Sequence, residues 1–562
     1  MSAADRFDLP QDAFVTETPL TATKPASSSA PPAVSAKSGG LIRSSMVYSA
    51  FTLMSRIMGF LRDLAISYSM GASSTFVADA YNTAWSFPNL FRRIFAEGAF
   101  AAAFVPAYSR SLEKDGEHVA DELAADAMAT LAAATLVVTV IAELAMPWLM
   151  YLIAPGFAHN PAKFKLAILL TQITMPYLPC MAIYAHLSGV LNARNRFILS
   201  GAAPILLNLW TLITVLPAHG ARQAAIWGAW GIVVAGVSQA ALLMWGCKRS
   251  GAHVGFRWPR LTPEIKQLIM LAIPGAVAAS ATQISVFVSG ILVSQVNGAR
   301  SWLFYCDRLY QLPQGLIGVA VGVALLPKLS RAIHAGDETG ARGAMDEALL
   351  FSMALALPCA VALVTIPFFI IDGLYTRGAF HTVDAHQTAN ALFCYGWGVP
   401  AFVSAQLLNR AFFARQDTKT PMRLGLISVA VNVAVGVNLF FLIGVPGVAA
   451  ATTIAWWTNV VMMAVTLARR AHYRPDPKSV SRLLRILAAN LALAAVLLAV
   501  GHWRYQIQGV FAGVHLSKFG PKEIAVALTA VGAAALYPPL LFASGGLSLA
   551  EAKAALRRRK AR

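Results

Sequence analysis

The feature that most constrains this chain is a succession of apolar runs, each about 20 residues or more, repeated along most of its length. A helix of that length matches the hydrocarbon thickness of a bilayer, and it satisfies its own backbone hydrogen bonds there. Fourteen such spans are read, at 44–70, 76–108, 122–154, 163–192, 198–217, 223–247, 265–297, 302–332, 343–371, 385–414, 421–443, 446–469, 482–503 and 523–543. Only 13% of the residues are charged, against about 25% in soluble domains. The expected fold class is therefore an all-α polytopic membrane protein. An even number of crossings places both termini on one side.

Residues 1–40 are rich in Pro, Ala, Ser and Thr with no apolar period, and read as a disordered tail. No signal peptide opens the sequence. The formal net charge of +19 follows insertion topology. Lys and Arg gather in alternate loops, among them Arg194, Arg196, Lys248, Arg249, Arg415 and Lys419, and in the last residues, Arg557 to Arg562. Those loops and both termini are expected in the cytoplasm, and nucleic acid is not expected as a partner. The five cysteines sit within or at the ends of apolar runs, without CxxC spacing, and read as small buried hydrophobes.

An internal repeat organises the spans. Pro106, Ser109 and Arg110 recur as Pro327, Ser330 and Arg331, and Pro179, Ala193 and Arg194 recur as Pro400, Ala414 and Arg415, always 221 residues apart. The repeat relates spans 1–6 to spans 7–12. Six is even, so the copies share one membrane orientation, as in some secondary transporters whose substrate site lies between two halves. The expected organisation is a tail (1–40), an N-lobe (41–262), a C-lobe (263–480), two additional helices (481–545) and a basic tail (546–562). Spans 13 and 14 are either a packing pair or a lipid-facing groove.

Charges inside the apolar helices mark the functional region, because such groups are costly in a bilayer unless they face a wet cavity or one another. Span 1 carries Arg56, Arg62 and Asp63, and span 2 carries Asp79, Arg92, Arg93 and Glu97. Arg93 and Glu97 are four apart and read as a salt bridge on one face. Arg92 points elsewhere and reads as a ligand contact. Asp79 in a first turn is explained by the helix dipole, or by gating, or by pairing with Arg62. Span 8 adds Asp307 and Arg308, which as sequence neighbours need not neutralise each other. The excess is cationic, and planar guanidinium groups suit the oxygens of a phosphate. The glycine-rich piece GLIGVAVG (315–322) reads as a helix-packing surface.

Enzyme signals are weak. There is no HExxH, no GxxxxGK[ST] and no His/Cys cluster of metal spacing. No cofactor and no catalytic residue are expected, with a coupling ion or the membrane potential left open as the driving force. A lipid-phosphate enzyme would need a nucleophile–base pair or metal ligands that are not seen. An exporter of cationic drugs would need an acidic, aromatic cavity. The arginines fit an anionic, phosphate-bearing ligand.

Four segments carry a resemblance. SRIMGFLRD (55–63), ADAYNTAWSFPNLFRRIFAEGAFAAAFVP (78–106), CDRLYQLPQGLIGVAVGVALLP (306–327) and ARQDTKTP (414–421) are similar to motifs of the MurJ family of lipid II flippases, with Cys306 where the family usually has Ala. The resemblance implies a fold like that of the multidrug exporters called MATE, with two pseudo-symmetric six-helix lobes plus two C-terminal helices. It implies transport of undecaprenyl-diphosphate-linked disaccharide-pentapeptide across the bacterial inner membrane for peptidoglycan synthesis. By the same resemblance Arg56, Arg62, Arg92 and Arg308 line a central cavity, Ser301 and Asp79 match further functional positions, and spans 13 and 14 hold the isoprenoid tail. Membrane lipids and cell-wall synthases are implied partners. A flippase for another prenyl-diphosphate-linked glycan shares the anchor chemistry and stays open, as does the drug exporter.

Overall fold

A computed structural model describes residues 38–92, 100–511 and 520–546, with side chains at all of these except 38–49, 91, 92, 100–102, 274–282 and 316–328. Every regular element among the described residues is a helix. The first half holds α1 (Ser38–Met70), α2 (Val77–Arg92), α3 (Phe100–Lys114), α4 (Glu117–Ile153), α5 (Pro161–Thr174), α6 (Tyr177–Ala193), α7 (Phe197–Val215) and α8 (Ala221–Arg249). The second half holds α9 (Pro263–Val293), α10 (Ala299–His334), α11 (Glu338–Thr365), α12 (Pro367–Tyr375), α13 (Thr382–Gly396), α14 (Val399–Phe413), α15 (Lys419–Ile443) and α16 (Val445–Arg469). The chain then adds α17 (Pro477–His502), α18 (Arg504–Val510) and α19 (Pro521–Ala543).

Local chemistry sets several starts. Asn160, Thr262 and Asp476 each accept a backbone N–H of the helix that follows, and each precedes a proline at its first position. The cap satisfies an orphan donor, and the proline brings a preset φ where no N–H is needed.

Among the described residues, ten helices or helix pairs are long and apolar enough to cross a membrane, from α4 through α19. The remaining expected spans hold α1, α2 with α3, α9 and α10. Large apolar side chains cover the outside: Leu144, Trp148, Met270, Phe441 and Leu442 are each at least 70% exposed. In a soluble protein so much exposed apolar surface would drive association; here it matches lipid. Inside, small residues let the helices approach. A Cβ on Gly231 would lie 2.3 Å from Thr214 Oγ1, and one on Gly236 would lie 2.7 Å from the Tyr177 ring.

The repeat is visible in the packing. The pairs α1–α7, α7–α8, α6–α8, α4–α6, α2–α5 and α5–α8 recur as α9–α15, α15–α16, α14–α16, α11–α14, α10–α13 and α13–α16. It extends to single residues. Asn195 and Gln416, 221 apart, both take a left-handed φ of 59°. Beside them Arg194 pairs with Glu117 at 3.5 Å, and Arg415 pairs with Glu338 at 3.1 Å, again 221 apart. These two turns lie at what we term the proximal end, where α1 begins; the α1–α2 turn lies at the distal end.

Residues from Ile66 to Ile232 share one apolar core, and residues from Leu292 to Tyr473, with Ala72, share another. The helices α17 and α19 pack on each other and on α11 and α12 through Ile366, Phe369, Leu493 and Leu541. Spans 13 and 14 thus pair beside the second half.

Candidate functional site

Among the described residues, three buried carboxylates join the halves, one in mid-helix and two at the distal end. The first is Asp63 on α1, which is 1% exposed. Its neighbour Arg62 folds back along the helix and donates to Asp63 Oδ1 from Nε (3.0 Å) and Nη2 (2.7 Å). Arg62 Nη1 donates to Asn208 Oδ1 on α7 at 3.0 Å, and the guanidinium lies 5.5 Å from the centre of the Trp85 ring. From the other half, Arg308 Nε on α10 stands 3.2 Å from Asp63 Oδ2. That N–H is not aligned for a hydrogen bond, so the contact is Coulombic. Arg308 also lies over the Phe304 ring at 4.8 Å.

Two guanidinium groups against one carboxylate leave this cluster a net positive charge. The side chain of Arg62 is 8% exposed and that of Arg308 31%, so the second is the one that meets solvent. Arg62, Ile66, Tyr81, Trp85, Thr211, Ile232 and Phe304 enclose a cavity of about 10 Å³, the room of one water. The lining comes from α1, α2, α7, α8 and α10. Arg56, about 9 Å along α1 from Arg62, is exposed. Its guanidinium sits against Gly315, where a Cβ would come within 1.5 Å of Nη1. The start of the glycine-rich piece therefore seats an arginine.

The second carboxylate is Asp79 in the first turn of α2, fully buried. Lys163 Nζ of α5 donates to Oδ2 at 2.6 Å, and Gly298 N donates to the same oxygen at 2.8 Å. Ser301 donates to Oδ1 from its backbone N (3.0 Å) and from Oγ (2.8 Å). Asp79 thus sits on the N-terminus of α10, where partial positive charge favours an anion. Its cation is Lys163, not Arg62. Inter-lobe register decides this, and periodicity along one helix does not contain it. Asn82 donates to Ser301 Oγ at 3.1 Å, so Ser301 is wholly engaged.

The contacts between the halves continue around the distal end. Lys163 donates to Asn297, which donates to Ser73 O. Asp384 accepts from Ser73 N (2.9 Å), Ser73 Oγ (2.5 Å) and Trp302 Nε1 (2.9 Å). Arg300 reaches from α10 to Ser86 Oγ of α2 at 2.9 Å and to Gly290 O at 3.2 Å. Gly298 has φ of +85°, and a Cβ there would lie 2.7 Å from Ser73 Cβ, so the close approach and the backbone both require glycine.

Asp307 accepts from Gln311, one turn on. Arg92 ends α2, and its side chain is outside the described set. Arg93 and Glu97, expected as a salt bridge, lie outside the described residues. Sequence reasoning overlooked Lys163 and Arg300, together with Asn208, Asp384 and Trp302. An asparagine inside the apolar run ILLNLWTLITV was a usable signal, since polar groups at membrane depth need partners.

The model of one protein family, described as lipid II flippase MurJ, matches residues 66–517. A probable lipid II flippase MurJ of Rhizobium meliloti (strain 1021) is 37% identical over 517 residues, covering 90% of this chain and 94% of that protein. The lipid II flippase MurJ of Burkholderia cenocepacia is 31% identical over 470 residues, 82% of this chain and 90% of its own. Among solved structures, a lipid II flippase MurJ in an inward closed conformation aligns with a TM-score of 0.70 at 24% identity, covering 88% of this chain and 98% of that one. An inward-facing MATE multidrug transporter of the MOP superfamily aligns at 0.62 and 13% identity, covering 76% and 97%. The fold is thus the one these transporters share, and the chain belongs to the MurJ family of lipid II flippases.

Proposed function

We propose that the chain is a lipid II flippase. It carries the undecaprenyl-diphosphate-linked disaccharide-pentapeptide from the cytoplasmic to the periplasmic face of a bacterial inner membrane. The observation that carries this reading is the cationic surplus where the halves meet: Arg62 and Arg308 share the single carboxylate of Asp63. A diphosphate supplies the missing anion, and a guanidinium fork matches its oxygens. A cationic drug would be repelled from the same place, so the exporter alternative is disfavoured on charge.

In this reading the chain crosses fourteen times with both termini in the cytoplasm, and the distal end is periplasmic. The N-lobe (41–262) and C-lobe (263–480) rock about the site, and residues 481–545 hold the isoprenoid tail in a furrow. The Asp79–Lys163–Ser301 cluster is the periplasmic gate, closed here. Opening it exposes Ser301 to the substrate. Arg56 and Arg92 complete the set around the diphosphate, while Asp307, Arg93 and Glu97 hold helices by ion pairing. Transport is by alternating access without covalent chemistry, driven by a coupling ion or the membrane potential, and cell-wall synthases take up the product.

The anchor is common to other lipid-linked glycans, so the experiment must read the head group. Depleting the protein in its host should make the peptidoglycan precursor accumulate on the cytoplasmic face. Accumulation of a different lipid-linked glycan, with lipid II turnover unchanged, would replace this reading by the alternative.

A further inference from the structure

We propose that Asn208 is a positioning residue for the diphosphate site, fixing the plane of the Arg62 guanidinium. The inference rests on the reading that Arg62 meets the diphosphate. Asn208 lies on α7, 5% exposed, at the face packed on α1. Its two ends do different things. Oδ1 accepts from Arg62 Nη1 at 3.0 Å, and Nδ2 donates to Ser55 O at 2.9 Å, with Ser55 Oγ at 3.4 Å. The carboxamide can point only one way, since its NH2 would repel the guanidinium and its oxygen would repel the Ser55 carbonyl.

Arg62 is thereby held on two sides. Asp63 takes the N–H of Nε and one N–H of Nη2, and Asn208 takes one N–H of Nη1. A guanidinium has five N–H groups. Two remain, one on each terminal nitrogen, and a pair of that kind matches two phosphate oxygens bidentately. Asn208 is neutral, so it orients the arginine without spending the positive charge that a second carboxylate would cancel.

The repeat supports a linked role. At the 221-residue offset, Ser55, Arg62, Asp63 and Asn208 correspond to Ala276, Gln283, Ile284 and Val429. The helix pair α9–α15 packs as α1–α7 does, yet at the matched positions it carries neither the arginine nor the asparagine. The packing of such a pair therefore does not itself require an asparagine. It occurs in the copy that has an arginine to hold.

The test is binding of purified full-length variants to undecaprenyl diphosphate and, separately, to undecaprenol, which has the same tail and no phosphate. Asn208→Leu should weaken diphosphate binding about tenfold or more and leave undecaprenol binding unchanged. Asn208→Gln, which keeps both amide functions, should recover part of the loss. Unchanged diphosphate binding by Asn208→Leu, or equal loss for both ligands, would overturn the proposal in favour of a packing role. If Asn208→Leu does not accumulate, Asn208→Asp decides. It keeps an acceptor for Arg62 and cancels the surplus charge, so diphosphate affinity should fall with undecaprenol unaffected, and wild-type affinity would overturn the proposal. Arg62→Ala is measured in parallel. If that variant binds the diphosphate normally, the reading of the arginine site fails first, independently of Asn208.

Discussion

Asp63 and Asp79 are the same device with opposite charge balance. Each is a buried carboxylate of the first half that reaches α10 of the second. Asp79 receives one cation and three neutral donors at 2.6–3.0 Å, which saturates it and leaves the cluster neutral. Asp63 receives two arginines, one of them misaligned and partly exposed, which leaves the cluster positive. A neutral, saturated cluster is suited to hold a seal that must close without a ligand. A positive, unsaturated one is suited to wait for an anion. The difference lies in the partners and not in the aspartates.

The largest effect is expected from breaking the saturated pair. Asp79→Ala leaves the Lys163 ammonium buried against Phe157 with its carboxylate gone. Removing one partner of a buried pair costs about 3–5 kcal/mol, enough to unfasten the distal contact. We expect loss of complementation, and a cysteine introduced as Ser73→Cys should become reactive to membrane-impermeant thiol reagents. The double variant Asp79→Ala with Lys163→Met removes the stranded charge and should restore protein level without restoring the seal. Full transport in that double variant would mean that the cluster is only a folding device.

Next comes the unsaturated cluster. Arg308→Ala and Arg62→Ala should abolish flipping, with Lys partly active at each position because it keeps the charge and loses the fork. Loss of one charge-assisted contact weakens binding by about ten- to a hundredfold, so substrate affinity measured at matched expression should fall by that much. If Asp63→Asn instead rescued Arg308→Ala, the arginine would be serving the carboxylate, and the contrast between the two clusters would collapse.

The sequence made one of these clusters far more legible than the other. Arg62, Asp63 and Arg308 stand out because charges are rare in apolar helices, and the 221-residue repeat sets span 8 across from span 2. The same repeat matched Arg194 with Arg415, the residues beside the turns at Asn195 and Gln416. Lys163 and Arg300 did not stand out, because a cation near a helix end also serves insertion topology. Asp79 could not be assigned its partner, since which side chain meets it depends on how two distant segments dock. Asn208 is neutral and escaped a search for charges. Local periodicity and repeats reveal which helices exist and how they pair, whereas inter-lobe register is a tertiary property.

A smaller effect should come from Gly315→Ala. The added methyl would collide with Arg56 Nη1, but that guanidinium is the far end of an exposed, flexible side chain and can swing aside. Stability should change by less than about 1 kcal/mol, within the range of surface substitutions. Transport should drop several-fold if Arg56 works from this seat, and Arg56→Ala should add nothing further to Gly315→Ala. Additive losses would place Arg56's role elsewhere.

The smallest effect belongs to another carboxylate that isolates what burial contributes. Asp417, in the ARQD turn between α14 and α15, pairs with Arg470 at 2.7 Å, nearly as short as the Asp79–Lys163 contact, but the two side chains are 24% and 45% exposed. Hydrogen bonds from the Thr420 side chain and backbone, helped by Arg470, hold its carboxyl down to about 2 from an ordinary 3.8. A lowered folded-state value stabilises the fold above the unfolded value and loses that stabilisation as pH falls toward the folded one. The contribution should therefore be flat from pH 8 to about 5 and fade only below about 4. Water screens the pair, so its whole worth is about 1 kcal/mol or less. Asp417→Asn should lower the unfolding temperature in detergent by a degree or two at pH 7, with the gap to the wild type closing as pH approaches 3, and flipping should persist. A loss of function as large as that of Asp79→Ala would show that ion-pair geometry, and not burial, sets the scale of these effects. A gap that widened on acidification would reverse the assigned direction of the shift.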